Sequence, residues 1–368
     1  MNILFVNSIQ MFGGGEVWML RTMDALRERG HRIVLCCRPH TEVGFRAMEA
    51  GFPVVELQFG GDFNPFSIIR LARIMQQARI DVVLTNMDKE LRQAGLAARL
   101  VRPHPIVIPR RGIDYPLKNK WRYRFAYNVL ATRIIANSQA TRQALLKNAP
   151  WLDPERVEVI YNGIDPEPFE TATGRQLRQE WTRGKKVPIL GFVGQLDPRK
   201  GIGVLLSGFE RVHAAVPQAR LVVIGEGPLQ EMIESEARYQ GWQENLILAG
   251  FKEDIPEVMN AIDVLVLPSF WEGFGIVIIE AMAAKKPVIS TNVSSMPEII
   301  VHGETGYLIE PGDSEALARY AVELLQDEQK RRRMGEKGYE RVLREFHHKT
   351  MINHLEAVFR NELQRRRK

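Results

Sequence analysis

Short apolar runs alternate with amphipathic stretches along almost the whole chain. Asn2–Val6, Ile33–Cys37, Val54–Leu57, Val82–Thr85, Ile106–Ile108, Ile134–Ala136 and Val157–Ile160 have the length and aliphatic content of buried strands. Between them, Val17–Arg29, Pro65–Gln77, Lys89–Val101 and Gln139–Lys147 carry helical spacing, and Gly30 follows the first of these as a cap. Pro166–Gly174 and a charged segment to Lys186 read as a connector. A second series then begins afresh. Its expected strands are Ile189–Val193, Leu221–Ile224, Leu246–Leu248, Val264–Leu267, Val288–Thr291 and Gly306–Ile309. Its expected helices are Gly203–Val216, Leu229–Gln240, Ile255–Asn260, Ile276–Lys285, Met296–Val301 and Ser314–Gln326. The tail, Glu328–Lys368, reads as helical and basic, ending Arg-Arg-Arg-Lys.

Two successive βα series predict an α/β protein of two doubly wound, Rossmann-like domains facing each other across a cleft. A length of 368 residues agrees with two cores rather than one. The expected boundaries are 1–165 for the N-terminal domain and 166–345 for the C-terminal domain, with 346–368 a C-terminal helix.

Composition narrows the class. A hydrophobic content of 45% and a charged content of 26% are ordinary for a soluble globular protein. No apolar run reaches the roughly 18 residues of a membrane span. The start, Met-Asn-Ile-Leu-Phe-Val-Asn, reads as a first strand rather than a signal peptide, so a cytoplasmic location is expected. Cys36 and Cys37 are adjacent and fit neither a redox pair nor a metal set, and are expected buried and inert. The net charge of +6 is concentrated between Val101 and Arg133, which holds eight Arg or Lys and the single acid Asp114, with Trp121, Tyr123, Phe125 and Tyr127 interleaved. That segment admits two readings, contact with an anionic membrane surface or a solvated helix face beside an anion-binding cleft. No nucleic-acid motif accompanies the charge.

Candidate chemistry gathers at four places. Gly13, Gly14 and Gly15 follow the first strand and would let backbone approach a ligand. The dinucleotide fingerprint fails there, because Trp18 stands where its last glycine belongs and the second strand ends Cys37-Arg38 rather than in an acid. Phe192–Gly201, reading FVGQLDPRKG, puts Arg199 and Lys200 beyond a strand and a turn; they suit a phosphate pair or a solvated basic turn. Gly225–Pro228, reading GEGP, is a further candidate for close backbone approach. Pro268–Glu280, reading PSFWEGFGIVIIE, places Glu272 on a glycine-bearing loop and Glu280 in the helix after it. Glu280 either contacts a ligand or complements a helix dipole. The eight histidines make no H-x-x-x-H pair, and neither a D-x-D metal motif nor a G-x-S-x-G elbow is present, so no metal and no covalent nucleophile are expected.

Together these residues resemble the retaining glycosyltransferases of family 4, with the GT-B fold. The stretch SFWEGFGIVIIEAMA is similar to that family's Glu-x7-Glu signature, and KPVIS, PEII, GGGE, IANSQAT, VIYNGID, RKG and GEGP support it in order and spacing. The resemblance covers nearly the whole chain and implies a metal-independent, hexosyltransferase-type enzyme that moves a sugar from a UDP-sugar or GDP-sugar to an acceptor hydroxyl, with no other cofactor. It implies that Glu272 contacts the donor sugar, with the backbone of Phe274, Gly275 and Ile276 near its hydroxyls or phosphate. Glu280 would bind the ribose, Arg199 and Lys200 the diphosphate, and Gly250 and Phe251 the base, while Gly14 and Gly15 would close on donor or acceptor. The resemblance also implies that the C-terminal helix, 346–368, crosses back to pack on the first domain. Three positions depart from the family pattern. Gln195 stands where many members have Arg, Ser294 and Ser295 replace paired glycines, and Arg110 and Arg111 occupy the place of a sugar-contacting histidine, for which Arg111 is the expected substitute. The basic aromatic segment suggests a lipid-linked or cell-envelope glycan acceptor and peripheral contact with the inner face of the membrane. The alternatives are a non-catalytic carbohydrate-binding protein of this fold and a sugar-nucleotide epimerase.

Overall fold

In the computed structural model, which describes residues 1–367, every apolar run named above becomes a parallel strand. Two compact units result, Met1–Asn162 with Lys349–Lys368, and Gly163–His348.

The first unit runs β1 (Asn2–Asn7), α1 (Gly14–Glu28), β2 (Arg32–Cys37), α2 (Glu42–Glu49), β3 (Val54–Glu56), α3 (Pro65–Gln77), β4 (Val82–Thr85), α4 (Asp88–Leu100) and β5 (Ile106–Arg111). It continues with α5 (Trp121–Phe125), a π-helical turn over Ala126–Leu130, β6 (Ile134–Ala136), α6 (Gln139–Lys147) and β7 (Val157–Val159). The sheet order is β3-β2-β1-β4-β5-β6-β7. Period-two alternation sorts its side chains to two buried faces. Ile3 and Phe5 pack with Trp18, Met19 and Met23 of α1 and with Ile352, Leu355 and Phe359 of the C-terminal helix, whereas Leu4 and Val6 pack with Leu71, Leu91 and Tyr127.

The second unit runs α7 (Glu167–Thr171), α8 (Arg175–Thr182), β8 (Ile189–Val193), α9 (Ile202–Ala215), β9 (Arg220–Ile224), α10 (Gln230–Tyr239), β10 (Leu246–Gly250), α11 (Ile255–Ala261) and β11 (Val264–Leu267). It ends with α12 (Ile276–Ala283), β12 (Val288–Thr291), α13 (Met296–Ile299), β13 (Gly306–Ile309), α14 (Ser314–Gln326) and α15 (Glu328–Glu345); α16 spans His348–Arg367. Its sheet order, β10-β9-β8-β11-β12-β13, has the same reversal as the first.

Several expectations need correction. The expected connector holds two helices, α7 and α8, because Phe169 and Trp181 find buried places. The tail is helical as expected and divides into two helices at Phe346–His347, next to the expected boundary, where the Phe346 ring is buried edge-on against Phe274. Lys368 lies outside the described residues. β5 extends through Arg110 and Arg111, which pair with Ile135 and Ala136 of β6 instead of following the strand. In the basic segment, Tyr123 and Tyr127 turn into the core, leaving Trp121 and Tyr115 as its exposed rings. Cys36 and Cys37 are buried free thiols, as expected, and burial pushes the Cys36 thiol well above its ordinary range.

Candidate active site

In a doubly wound sheet the loops leaving the two strands on either side of the order reversal diverge to opposite faces and open a ligand-sized crevice at the carboxyl ends. In the second unit that point lies between β8 and β11, and the expected Arg199–Lys200 and Glu272 segments leave those two strands.

Local chemistry explains how they meet. Asp197 caps a short 3-10 turn by accepting from the Arg199 amide at 2.9 Å, with Pro198 at its first position. Gly201 then adopts φ +67°, and a Cβ there would stand 1.9 Å from the Pro268 carbonyl oxygen, so only glycine lets α9 start against the end of β11. The Phe270 amide donates to the Arg199 carbonyl at 2.8 Å, fastening the two loops. As a result the Lys200 ammonium forms an ion pair with the Glu272 carboxylate. The Ser269 hydroxyl donates to the same Glu272 oxygen at 3.0 Å, and Thr291 donates to the Ser269 carbonyl.

Arg199 and Lys200, adjacent in sequence, differ in environment. The Lys200 side chain is 19% exposed and that of Arg199 52%. Arg199 turns to Asp197 at 2.7 Å and Gln195 at 3.4 Å, with its guanidinium 5.8 Å from the Trp271 ring centroid. Lys200 sits inside the crossover point, and Arg199 lies on its rim. Gln195, noted as a departure from the family pattern, thus acts as an acceptor for Arg199.

Glu272 and Glu280 fall on loop and helix as expected, and both are buried. Between them Gly275 adopts φ +78° at the start of α12, where a Cβ would meet the Met296 side chain at 2.8 Å. Ser295, in place of an expected glycine, donates to the Phe274 carbonyl at 3.1 Å and holds this loop from α13. The first amides of α12, around Ile276, have no carbonyl within their own helix and suit an anionic or hydroxyl ligand.

At the GEGP turn, Cβ atoms at Gly225 and Gly227 would stand 1.9 and 2.5 Å from the carbonyl oxygens of Gly194 and Leu196, so the close approach of protein backbone requires glycine at both positions. Gly250 (φ +65°) has open space beside it, and Phe251 is 62% exposed.

In the first unit the reversal lies between β1 and β4. Gly14 and Gly15 open α1 instead of lying in a loop. Glu16 explains this, since it accepts from the Gly13 amide at 3.1 Å and from Asn7 at 3.0 Å and starts the helix early. A residue unmarked in the sequence stands at the crossover. Glu90, fully buried in the first turn of α4, accepts from the amides of Ser8 at 2.5 Å, Asn86 at 2.8 Å and Met87 at 2.9 Å. Burial raises its carboxyl to about 7, against the opposing pull of those amides. A Glu three residues into a helix looks like ordinary capping in sequence. Arg111 pairs with Asp88 at 3.0 Å and donates to the Tyr115 carbonyl at 3.1 Å, and Tyr127 donates to the same Asp88 oxygen at 2.6 Å. Arg110 lies 3.8 Å over the Trp18 ring and donates to Asn162 at 2.8 Å, and burial lowers it to about 9.

Comparison with known proteins agrees with this architecture. Residues 12–168 match the model of Glycosyltransferase Family 4, and residues 174–341 that of Glycosyl transferases group 1. The chain is 33% identical over 332 residues to the putative glycosyltransferase EpsD of Bacillus subtilis, covering 86% of each. It is 30% identical over 203 residues to N-acetyl-alpha-D-glucosaminyl L-malate synthase of Bacillus anthracis, covering 55% of this chain and about half, 53%, of that relative. Among solved structures, Anabaena HepE in complex with UDP superposes with a TM-score of 0.85 at 22% identity, over 98% of this chain and 100% of that one. With two parallel-sheet Rossmann-like units and both family models matched in order, the chain belongs to glycosyltransferase family 4 and has the GT-B fold.

Proposed function

We propose that the protein transfers a hexosyl group from a UDP-sugar to a hydroxyl of a cell-envelope glycan acceptor, with retention at the anomeric carbon and without a metal. The observation that carries this reading is the Lys200–Glu272 pair at the β8/β11 crossover, where a cation and a carboxylate stand side by side with helix amides beyond them. In the reaction the bond from the anomeric carbon to the diphosphate oxygen breaks, and its electron pair leaves with the diphosphate. The acceptor oxygen bonds to that carbon, and its proton is released with UDP. Lys200, with Arg199 on the rim, neutralises the charge gained by the leaving diphosphate, the kind of preorganised electrostatic help that usually contributes most to catalysis. Glu272 then serves the sugar hydroxyls and Glu280 the ribose, with the backbone at Phe274, Gly275 and Ile276 lining the donor and Gly250 and Phe251 beside the base. Gly14 and Gly15 are assigned to contact with donor or acceptor, and Arg111 to the place of the family histidine.

Supporting a UDP donor, solved HepE structures hold UDP-glucose, and UDP with glucose. Supporting an envelope acceptor, the capsular polysaccharide biosynthesis glycosyltransferase CapM of Staphylococcus aureus is 28% identical over 277 residues, 72% of this chain and 73% of its own. Among the described residues no group of three or more His, Cys, Asp or Glu is gathered to hold a metal. Peripheral membrane contact is the finer reading for the first unit. Trp121 is 70% and Phe66 82% exposed, and Trp121 stacks on Phe63 at 5.9 Å near Lys118, Lys120 and Arg124. No helix among the described residues is long and apolar enough to cross a membrane.

Incubation with a panel of UDP-sugars and GDP-sugars tests the proposal. Acceptor-dependent release of UDP from one UDP-sugar, unaffected by EDTA and giving the donor's anomeric configuration by NMR, is expected. Preference for a GDP-sugar, an inverted product or loss of activity with EDTA would each overturn the corresponding part.

A further inference from the structure

The first unit holds a second concentration of charge, outside the residues assigned above. It is formed by the segment after β3, the face of α4 and the start of α5. Asp62 accepts from Arg92 at 2.8 Å and pairs with Arg122 at 3.4 Å. Lys89 donates to the Phe59 carbonyl at 3.1 Å, and Arg38, from the end of β2, reaches the same carbonyl at 3.5 Å. Four cations therefore stand around one acid. The neighbouring Glu90, which accepts from three backbone amides, adds a second acid near Lys89, leaving four cations against two acids. The Lys89 ammonium is held below its ordinary range, first by burial and then by Arg38.

The cluster is also short of acceptors. The Arg92 side chain is only 4% exposed, yet its Nε and Nη1 have no hydrogen-bond partner, and Arg122 Nε has none either. Buried guanidinium donors without acceptors are costly and uncommon in a finished protein core. Both guanidiniums lie over one ring, Tyr123, at 5.4 and 5.5 Å, so they converge on one place. Asp62 follows Gly60 and Gly61, and Gly61 has open space around it.

We propose that this cluster is a binding site for the phosphate or diphosphate of a phosphorylated acceptor, with the Asp62 carboxylate occupying the anion's place until the acceptor arrives. A phosphoryl group carries three acceptor oxygens against the two of a carboxylate, and arginine forks bind it bidentately. It would therefore satisfy Arg92 and Arg122 donors that Asp62 leaves unpaired, while Lys89 and Arg38 add charge. Asp62 is followed by Phe63, and Arg122 is preceded by Trp121, the stacked pair exposed beside the site. The apolar part of a lipid-linked phosphate ester has a surface to rest on there. The inference rests on the transferase reading only for the word acceptor, since the site itself is tested by binding without turnover.

Calorimetric titration of the whole protein with pyrophosphate, in saturating UDP to occupy any donor site, should show one further site. Asp62→Asn should tighten it about tenfold and Arg122→Gln weaken it about tenfold, whereas Lys200→Ala should leave it unchanged. Should Arg92→Gln fail to fold, the Asp62 and Arg122 variants still decide the matter. Vesicles carrying a prenyl phosphate, compared with neutral vesicles, separate the sources of the anion. Retention only on the prenyl phosphate assigns the site to a lipid-linked phosphate, and pyrophosphate binding without such retention assigns it to a soluble one. No pyrophosphate site together with equal vesicle retention, or affinities indifferent to Asp62 and Arg122, overturns the proposal. Loss of the site with Lys200→Ala would also overturn it by moving the anion to the second unit.

Discussion

The two units place a glutamate at the same topological point and use it in opposite ways. At the β8/β11 crossover, Glu272 meets the Lys200 ammonium with both side chains still partly open to solvent. At the β1/β4 crossover, Glu90 meets three backbone amides and is sealed from water. A carboxylate paired with a side-chain cation can exchange that partner for a ligand. One bound to the main chain can only hold the chain in place. The first arrangement suits a ligand-binding site, and the second a scaffold for the glycine-bearing segment after β1.

The largest expected effect is at the β8/β11 crossover. Lys200→Ala should lower transfer by about 10²–10³-fold in kcat, the scale of losing one preorganised charge-stabilising donor, read in a UDP-release assay at saturating donor. A variant with unchanged kcat would make the Lys200–Glu272 pair as structural as the Glu90 latch. Gly201→Ala asks whether the crossover depends on backbone contact. With its Cβ 1.9 Å from the Pro268 oxygen and φ +67°, stability should fall by roughly 3 kcal/mol in denaturant unfolding.

The Glu90 test depends on pH. Its folded carboxyl titrates at about 7, above the ordinary 4.5, so the folded chain keeps a proton that the unfolded chain releases between those values. The stabilisation is complete below pH 4.5 and lost as pH rises through 7, on the order of 3 kcal/mol at most. Glu90→Gln should flatten that slope between pH 5 and 7.5, whatever fixed cost it adds. A slope equal to the wild type would assign the titration elsewhere. The smallest effect is expected at Glu280→Ala, which should weaken UDP about tenfold, the worth of one hydrogen bond to a charged group, with little change in kcat.

Much of the arrangement was legible beforehand because its causes are local. Apolar runs of strand length, glycines before helices and a lysine one turn past a strand placed β8, β11 and Glu272 without reference to distant residues. The failures came where a distant partner decided the outcome. The backbone that approaches Gly225 and Gly227 is that of Gly194 and Leu196, about thirty residues away, which the GEGP turn itself does not name. Tyr123 and Tyr127 looked like surface rings beside basic residues until the core claimed them. Arg110 and Arg111 extended β5 because β6 offered pairing partners, which no pattern within the strand itself announces.

By itself the sequence determined that there would be two doubly wound βα series, where most strands and helices would fall, and which glycine-bearing and charged segments would follow particular strands. Hydrophobic period and glycine placement act within a few residues, and they suffice for that. Only the tertiary structure decided which cation stands beside Glu272, that Arg199 turns to the rim while Lys200 turns inward, and that Glu90 is sealed while Arg92 is left short of acceptors. Burial and partnering are properties of what packs around a side chain. The same letters, Arg, Lys and Glu, therefore carry different chemistry according to neighbours drawn from far along the chain.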